Sequence, residues 1–377
     1  MTTRARRVLI VMPLGEPLGG GEEMFRQLLR KGRGKGIDWS VVFLRPGSLV
    51  EEARALGVGV HVVEAGRFRD VGRRLGAVRA VARIARYAEA ELVFGWMVAG
   101  QATAGPAAWT AGLANAWYQV STPRPDWLDR LSTVWPARGV ITLSRDGADA
   151  QAAIWPHRRT VLVHPGVALD AARAARALPP RDLRARFQLP LHGPLVGTVA
   201  RLQRWKGVHV FIEAVARLRA TQLPLHAVIV GGPHETEPAY AGELRALAER
   251  LGVASAITFA GHQPNPLEWM QAMDVFVHTS DREPFGIVVV EAMALGKPVV
   301  AGAAGGPSDI ITNGTDGLLA PYGDADAVAA AVTRYLQQPA FAQAVGTAAA
   351  QRAAAFSDVA YADAVCAAVR GFLERAA

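Results

Sequence analysis

Cysteine occurs once in the 377 residues, as Cys366, so no disulfide can form within the chain. That usage suits a reducing, cytoplasmic setting. Lysine is nearly as scarce: only Lys31, Lys35, Lys206 and Lys297 stand beside the arginines, which carry almost all of the +8 net charge. Such an excess attracts nucleic acid, anionic lipid or an anionic small molecule. None of the usual nucleic-acid motifs is present, and the charge is spread along the chain. No apolar run reaches the ~20 residues of a membrane-spanning helix, and no His/Cys group has metal-ligand spacing. The start, Met1-Thr-Thr-Arg-Ala-Arg-Arg and then Val8 to Leu14, has the charge of a signal peptide. Its apolar stretch is short, however, no small-residue cleavage site follows and a glycine loop comes straight after, so it reads as a first strand.

What is present is a rhythm. The chain is 51% hydrophobic, and its length suggests two or three domains at about 150 residues each. Short β-branched runs alternate with alanine-rich helical stretches. Val8–Val11, Val41–Leu44, His61–Val63, Leu92–Phe94, Trp117–Val120 and Gly139–Leu143 read as strands in the first half. Leu195–Val199, Ala227–Val230, Ile257–Phe259, Val275–His278 and Pro298–Ala301 do so in the second. Alternation of this kind implies parallel sheets in an α/β fold. The rhythm breaks near Ala168–Asp182, which holds Pro179-Pro180 and no strand signal, and the inter-domain crossover is expected there. The expectation is therefore two Rossmann-like domains facing across a cleft: residues 1–170, residues 183–356, and a C-terminal amphipathic helix over 357–377 that packs back on the first. Ligands in such folds sit at the carboxyl ends of the strands.

Three segments carry chemistry. Ser280-Asp-Arg-Glu-Pro-Phe-Gly-Ile-Val-Val-Val-Glu-Ala-Met-Ala-Leu-Gly-Lys-Pro-Val-Val follows the strand Val275–His278. Glu283 falls in the loop, and a helix opens at Gly286–Ile287, whose free N–H groups can hold a phosphate. Glu291 lies roughly 7 Å further along that helix, about the separation between a diphosphate and the ribose hydroxyls on its nucleoside side. Glu283 and Glu291, seven residues apart, resemble the E-x7-E signature of retaining glycosyltransferases with the GT-B fold, and EPFG and EAMALGKPVVA are similar to the GT4 family. The resemblance implies that Glu283 orients the donor sugar, that Glu291 holds the ribose, and that Phe285, Gly286 and Ile287 line the donor.

In the second segment, Gly197-Thr-Val-Ala-Arg201-Leu-Gln-Arg-Trp-Lys206-Gly207, arginine and lysine stand at a strand mouth. Such a pair suits a diphosphate that leaves with extra negative charge. The segment resembles the family's G-R-x4-K-G, which implies diphosphate binding by Arg201 and Lys206. With Glu283 they form the catalytic set. The third segment, Gly19-Gly20-Gly21-Glu22, is no dinucleotide fingerprint, because Met24 stands where a last glycine or alanine belongs. It is similar to the family's G-G-x-E turn, which brings Gly20 and Gly21 to the donor phosphate. Gly231 and His262 occupy strand ends where the family reads the base, though both glycine clusters there also suit plain turns. Asp324-Ala-Asp326 has the metal-binding D-x-D pattern, but capping of the alanine-rich helix by Asp324 is the better reading. No cofactor or metal is expected; the nucleotide sugar is a co-substrate.

The chain departs from the family where many members carry a histidine facing the acceptor. Here Asn115-Ala-Trp-Tyr-Gln-Val-Ser-Thr-Pro123 has none, leaving Gln119, Val120, Ser121 and Thr122 for its place. In a front-face retaining mechanism the leaving phosphate oxygen takes the acceptor proton, so the loss is not fatal. The Asn-Gly-Val-Asp usual at the end of the first domain is replaced by His164-Pro-Gly-Val-Ala-Leu-Asp170, and a lone histidine such as His164 is more often structural. Six of nine tryptophans fall between Trp96 and Trp155, and Trp96 and Trp117, near strand ends, are the acceptor candidates together with Gln119 and Ser121. Val71–Tyr87 mixes an apolar stripe with arginines. It reads as an outer helix with a solvated arginine face, and it leaves open peripheral contact with an anionic membrane at the inner face.

The leading expectation is therefore a cytoplasmic, metal-independent, retaining transfer of a hexose from a nucleotide diphosphate sugar, UDP-linked by preference, to a sugar, glycolipid or small natural-product acceptor. A non-catalytic sugar-nucleotide binder and a nucleotide-sugar epimerase on the same architecture stand as alternatives. Four lysines leave little room for a pyridoxal phosphorylase, and nucleic-acid binding is least favoured.

Overall fold

The computed structural model describes residues 4–17, 19–222 and 224–374. Residues 1–3 of the arginine-rich start and residues 375–377 of the expected C-terminal helix lie outside them. The chain divides into two compact units, one holding the residues up to Gly166 and those from Asp358 on, the other Val167–Ser357.

In the first unit the strands are β1 (Arg6–Met12), β2 (Ile37–Phe43), β3 (Gly59–Val62), β4 (Leu92–Trp96), β5 (Ala114–Gln119), β6 (Val140–Thr142) and β7 (Thr160–Leu162). Between them run α1 (Gly20–Lys31), α2 (Ser48–Ala55), α3 (Val71–Tyr87), α4 (Met97–Ala111), α5 (Trp127–Val134) and α6 (Arg145–Ala152). The seven strands form one parallel sheet in the order β3-β2-β1-β4-β5-β6-β7. Its central strands are apolar without alternation, since helices cover both faces; every residue from Val8 to Met12 is buried.

The second unit opens with α7 (Leu169–Arg176) and α8 (Pro180–Arg186). Its strands are β8 (Leu195–Val199), β9 (His226–Val230), β10 (Ile257–Gly261), β11 (Val275–His278), β12 (Val299–Gly302) and β13 (Leu318–Ala320). Its further helices are α9 (Val208–Ala220), α10 (Tyr240–Arg250), α11 (Pro266–Ala272), α12 (Ile287–Ala294), α13 (Pro307–Ile310), α14 (Ala325–Gln337) and α15 (Pro339–Ala353). The sheet is again parallel, ordered β10-β9-β8-β11-β12-β13. In both sheets the strand order reverses beside the first strand, between β1 and β4 and between β8 and β11. Loops diverge there at the carboxyl ends and open a crevice.

Two strands escape the reading by pattern, β7 and β13. Each has three residues and closes a sheet at its edge, too short to show a period. The stretch read as a crossover is helical instead. α7 and α8 belong to the second unit, because Gln271 Nε2 donates to the carbonyls of Arg176 and Leu178, both at 3.2 Å. Arg184 donates to Asp274 Oδ2 at 2.7 Å and to the Ala272 carbonyl at 2.9 Å.

The last helix, α16 (Asp358–Leu373), returns to the first unit. It turns Tyr361, Val365, Cys366, Val369 and Phe372 inward, the spacing of one apolar helix face. Tyr361 stacks on Tyr118 with ring centroids 6.3 Å apart. Phe372 fills the space beside Gly139, where any Cβ would stand 2.3 Å from its ring.

Candidate functional site

The crevice end of the second unit is shaped by glycines that let three loops touch. After β8 the chain makes a single 3-10 turn, Arg204–Lys206, and reverses at Gly207 with φ +65°. A Cβ on Gly207 would lie 2.0 Å from the carbonyl oxygen of Thr279. Only glycine lets this turn press against the end of β11, where Thr279 Oγ1 donates to the Gly207 carbonyl at 2.8 Å. The loop after β11 is braced in the same way. Gly306 N donates to the Glu283 carbonyl at 2.7 Å, and a Cβ on Gly305 would lie 2.2 Å from that oxygen. The loop ends at Gly286, φ +108°, from which α12 starts.

This bracing delivers Lys206 to Glu283: Nζ lies 2.6 Å from Oε2, with the two side chains only 13% and 11% exposed. The Lys206 ammonium also stands 4.0 Å from the centroid of the Trp205 ring. His278, the last residue of β11, is buried and places Nε2 3.1 Å from Glu283 Oε2 and 3.0 Å from Ser280 Oγ. His278 Nδ1 has no partner among the described residues; a ring that gives its Nε2 proton to the carboxylate accounts for both observations. Burial pushes the Glu283 carboxyl up, but the Lys206 ammonium and the His278 hydrogen bond outweigh it and hold the group well below the usual carboxylate range.

Of the expected catalytic residues, Lys206 and Glu283 are thus brought together and Arg201 is not. Arg201 is exposed and reaches His234 Nε2 at 3.5 Å. Glu291, partly buried, sits one turn into α12, and Ile287 is its first residue. The Phe285 side chain is core: it is buried edge-on against Phe356, with centroids 5.8 Å apart, and offers no face to a ligand. Gly231 is a glycine for packing, since its Cβ would meet the Ala200 carbonyl at 1.8 Å, and its N–H is already given to the Gly261 carbonyl at 2.8 Å. His262 is exposed against Gly232. Asp324 caps α14 by accepting from Ala327 N at 2.8 Å, while Asp326 pairs with Arg217. Among the described residues no three of His, Cys, Asp and Glu stand close enough to hold a metal ion.

In the first unit Gly20 and Gly21 open α1. A Cβ on Gly21 would run into the Met97 and Val120 side chains, at 2.4 and 2.7 Å. Trp96 and Trp117 are not available to an acceptor. Both are fully buried; Trp96 packs edge-on between Phe25 and Tyr118 and donates its indole N–H to the Gly21 carbonyl at 3.0 Å. Strand residues at the middle of a two-faced parallel sheet have no solvent side to offer, and their closeness to the strand ends misled. Gln119 is buried and donates Nε2 to Asp129 Oδ1 at 2.8 Å; Ser121 is exposed. Asp129 also accepts from Arg124 N at 2.9 Å, yet burial still lifts its carboxyl above the ordinary range. His164 Nδ1 meets the Leu143 carbonyl at 2.9 Å.

The sequence reasoning passed over His278, Trp205 and Asp129. A histidine closing a strand five positions before Glu283 was the legible signal for the first. The other two are set by folding alone.

Residues 181–352, inside the second unit, match the family of glycosyl transferases group 1. The chain is 33% identical over 225 residues to a D-inositol 3-phosphate glycosyltransferase of Corynebacterium urealyticum, covering 58% of this chain and 53% of that protein. The match spans about half the length of such curated relatives. Among solved structures, Anabaena Alr3699/HepE in complex with UDP and glucose aligns over 97% of this chain and 100% of its own, with TM-score 0.83 and 24% identity. A glycosyltransferase from Rickettsia africae aligns over 99% and 100%, with TM-score 0.86 and 17% identity. The fold is therefore of the GT-B kind, and residues 181–352 are similar to the group 1 glycosyl transferases.

Proposed function

We propose that this chain is a GT4-like retaining glycosyltransferase that moves a hexose from a UDP-linked donor to an acceptor hydroxyl without a metal ion. The observation that carries the reading is the buried Lys206–Glu283 pair, beside His278 and ahead of the α12 N-terminus. A lysine and a carboxylate held out of water, at the crevice end of a parallel sheet, are groups waiting for a ligand of both polarities. The diphosphate of the donor draws the Lys206 ammonium, and the released Glu283 carboxylate accepts from sugar hydroxyls. The free N–H groups at the start of α12 face the same anion. Exposed Arg201 closes on the diphosphate, and Glu291 takes the ribose. UDP and glucose are what the HepE structure holds, which supports the choice of donor.

In the chemical step the bond between the sugar C1 and the diphosphate oxygen breaks and a bond from C1 to the acceptor oxygen forms on the same face. The acceptor proton passes to the departing phosphate oxygen. Lys206, Arg201 and the helix N-terminus stabilise the charge that develops on that oxygen. The acceptor is a sugar, a glycolipid or a small natural product.

A second reading, a binder without turnover, draws on Gln119: where a histidine would face the acceptor, this side chain is tied to Asp129. The deciding experiment is nucleotide release from UDP-, GDP- and ADP-sugars in the presence of a chelator, for wild type, Glu283→Ala and Lys206→Ala. Release from one donor, lost in both variants, supports transfer. Retained nucleotide binding with no release from any donor, even with pooled acceptors, establishes the binder instead.

A further inference from the structure

The first unit carries an apolar surface that the chemistry above does not use. Val71 and Leu75 lie one turn apart at the start of α3 with Phe68 in the turn before it, and Trp127, Leu131 and Val134 follow one another at helical spacing along α5. Both helices pack on α4. Arg74 of α3 donates to Thr103 Oγ1 at 3.3 Å, and Gln101 of α4 donates to the Ser132 carbonyl of α5 at 3.3 Å. The two stripes are joined by Phe68 and Trp127, whose rings meet edge-on at 5.3 Å. Their side chains are turned to water: Val71 is 64% exposed, Leu75 51% and Trp127 61%. The inward face of α3 is made instead by Ala77, Val81, Ala82 and Ala85. The exposed stripe is thus a surplus over what folding needs, and clustered apolar surplus marks an interaction site.

The charge around it selects the occupant. From residue 67 to 87 seven arginines stand against one carboxylate, Asp70. The acids nearby face their own backbone. Asp70 Oδ2 accepts from Arg67 N at 3.0 Å, Asp126 Oδ1 caps α5 through Leu128 N and Asp129 N, and Asp129 is buried. Arg69, Arg73 and Arg130 remain exposed at the rim, and Arg74 lies 3.7 Å over the Phe68 ring. An apolar centre with an aromatic anchor and a one-signed arginine rim complements the headgroup layer of an anionic bilayer: indole and leucine enter the acyl boundary while guanidinium groups pair with phosphates. No helix among the described residues is long and apolar enough to cross a membrane, so the contact is peripheral.

We infer that the α3–α5 face of the first unit docks on an anionic phospholipid surface through Val71, Leu75, Trp127 and Leu131. This stands whether or not the donor reading holds, because no residue of the Lys206–Glu283 site takes part.

The test is co-sedimentation of the full chain with vesicles of pure phosphatidylcholine and of phosphatidylcholine with a third phosphatidylglycerol, at low and high salt. Wild type is expected to bind the anionic vesicles, and to bind them less at high salt. Val71→Ser/Leu75→Ser/Trp127→Ser is expected to lower partitioning at least about tenfold at either salt. Arg69→Ala/Arg73→Ala/Arg130→Ala is expected to abolish the preference for anionic over neutral vesicles. All six positions are exposed, and far-ultraviolet circular dichroism with an unchanged melting midpoint checks that each variant is folded. Equal binding by the serine variant, or no vesicle binding by wild type, overturns the proposal. A wild type that dimerises in sedimentation velocity, with a monomeric serine variant and no lipid binding, gives the face to a second copy of the chain.

Discussion

Lys206 and Glu283 stand 77 positions apart in sequence and form one ion pair, Nζ to Oε2 at 2.6 Å, in a place where each is close to nine-tenths buried. Neither charge is tolerable there without the other. Lys206→Met and Glu283→Gln are each expected to destabilise the second unit by about 3 kcal/mol, because each strands a partner, and the double variant by clearly less than their sum. Urea unfolding of the three variants measures the coupling. Single variants within about 0.5 kcal/mol of wild type would show the pair to be a surface-like contact.

The same pair fixes a response to acid. The folded Glu283 carboxyl is held far below its value in the unfolded chain, since Lys206 and His278 outweigh burial. Its contribution is therefore complete above the ordinary glutamate range and is lost as pH falls from about 4.3 towards the folded value. Wild type should lose stability across this window more steeply than Glu283→Gln. Parallel melting curves from pH 6 down to pH 3 read the difference, and identical slopes would contradict it.

Gly207 and Gly252 share a left-handed backbone, φ +65° and +69°, but differ in surroundings. Nothing stands within 4 Å of a Cβ on Gly252, whereas one on Gly207 would lie 2.0 Å from the Thr279 carbonyl. Gly252→Ala is expected to cost about 1 kcal/mol from backbone strain alone. Gly207→Ala should cost about 3 kcal/mol and weaken nucleotide binding, because the turn that presents Lys206 must back away from β11. Calorimetry and nucleotide titration separate the two, and equal costs would mean that the turn yields freely.

Cys366 lies wholly inside the first unit, its Sγ 3.8 Å from the Gly32 carbonyl, and burial pushes its thiol up to about 11. At pH 8 the folded protein should resist iodoacetamide and disulfide reagents, and one thiol should appear in urea. Modification of the native protein at the rate of a free thiol would mean that α16 opens.

The β-branched runs made the two parallel sheets legible, because strands covered on both faces need no alternation and announce themselves as apolar blocks. β7 and β13, with three residues each at the edge of their sheets, were not read. Glu283, Glu291 and Lys206 could be named as candidates in sequence, since they stand in close-set motifs. Their pairing with one another could not, because the contact is made by glycines that each look like an ordinary turn. Gly207, Gly305 and Gly306 acquire meaning only when the neighbouring carbonyl is in place. Trp96 and Trp117 failed in the opposite direction. Nearness to a strand end suggested an open face, but the side of the strand and the helix above it decide exposure, and one sequence does not record them.

The first unit is written in two pieces, with the second unit between them as one unbroken segment. A ribosome therefore delivers all of Val167–Ser357 before α16 exists. The later-coded unit has its full complement of strands first, while the earlier one waits with the seats of Tyr361, Val365, Cys366 and Phe372 uncovered. Stalled chains of increasing length, probed by protease, would show the second unit resistant before the first. The face that receives α16 is then the one a chaperone would meet, and a premature stop beyond residue 357 would leave a finished second unit tethered to a first that cannot close.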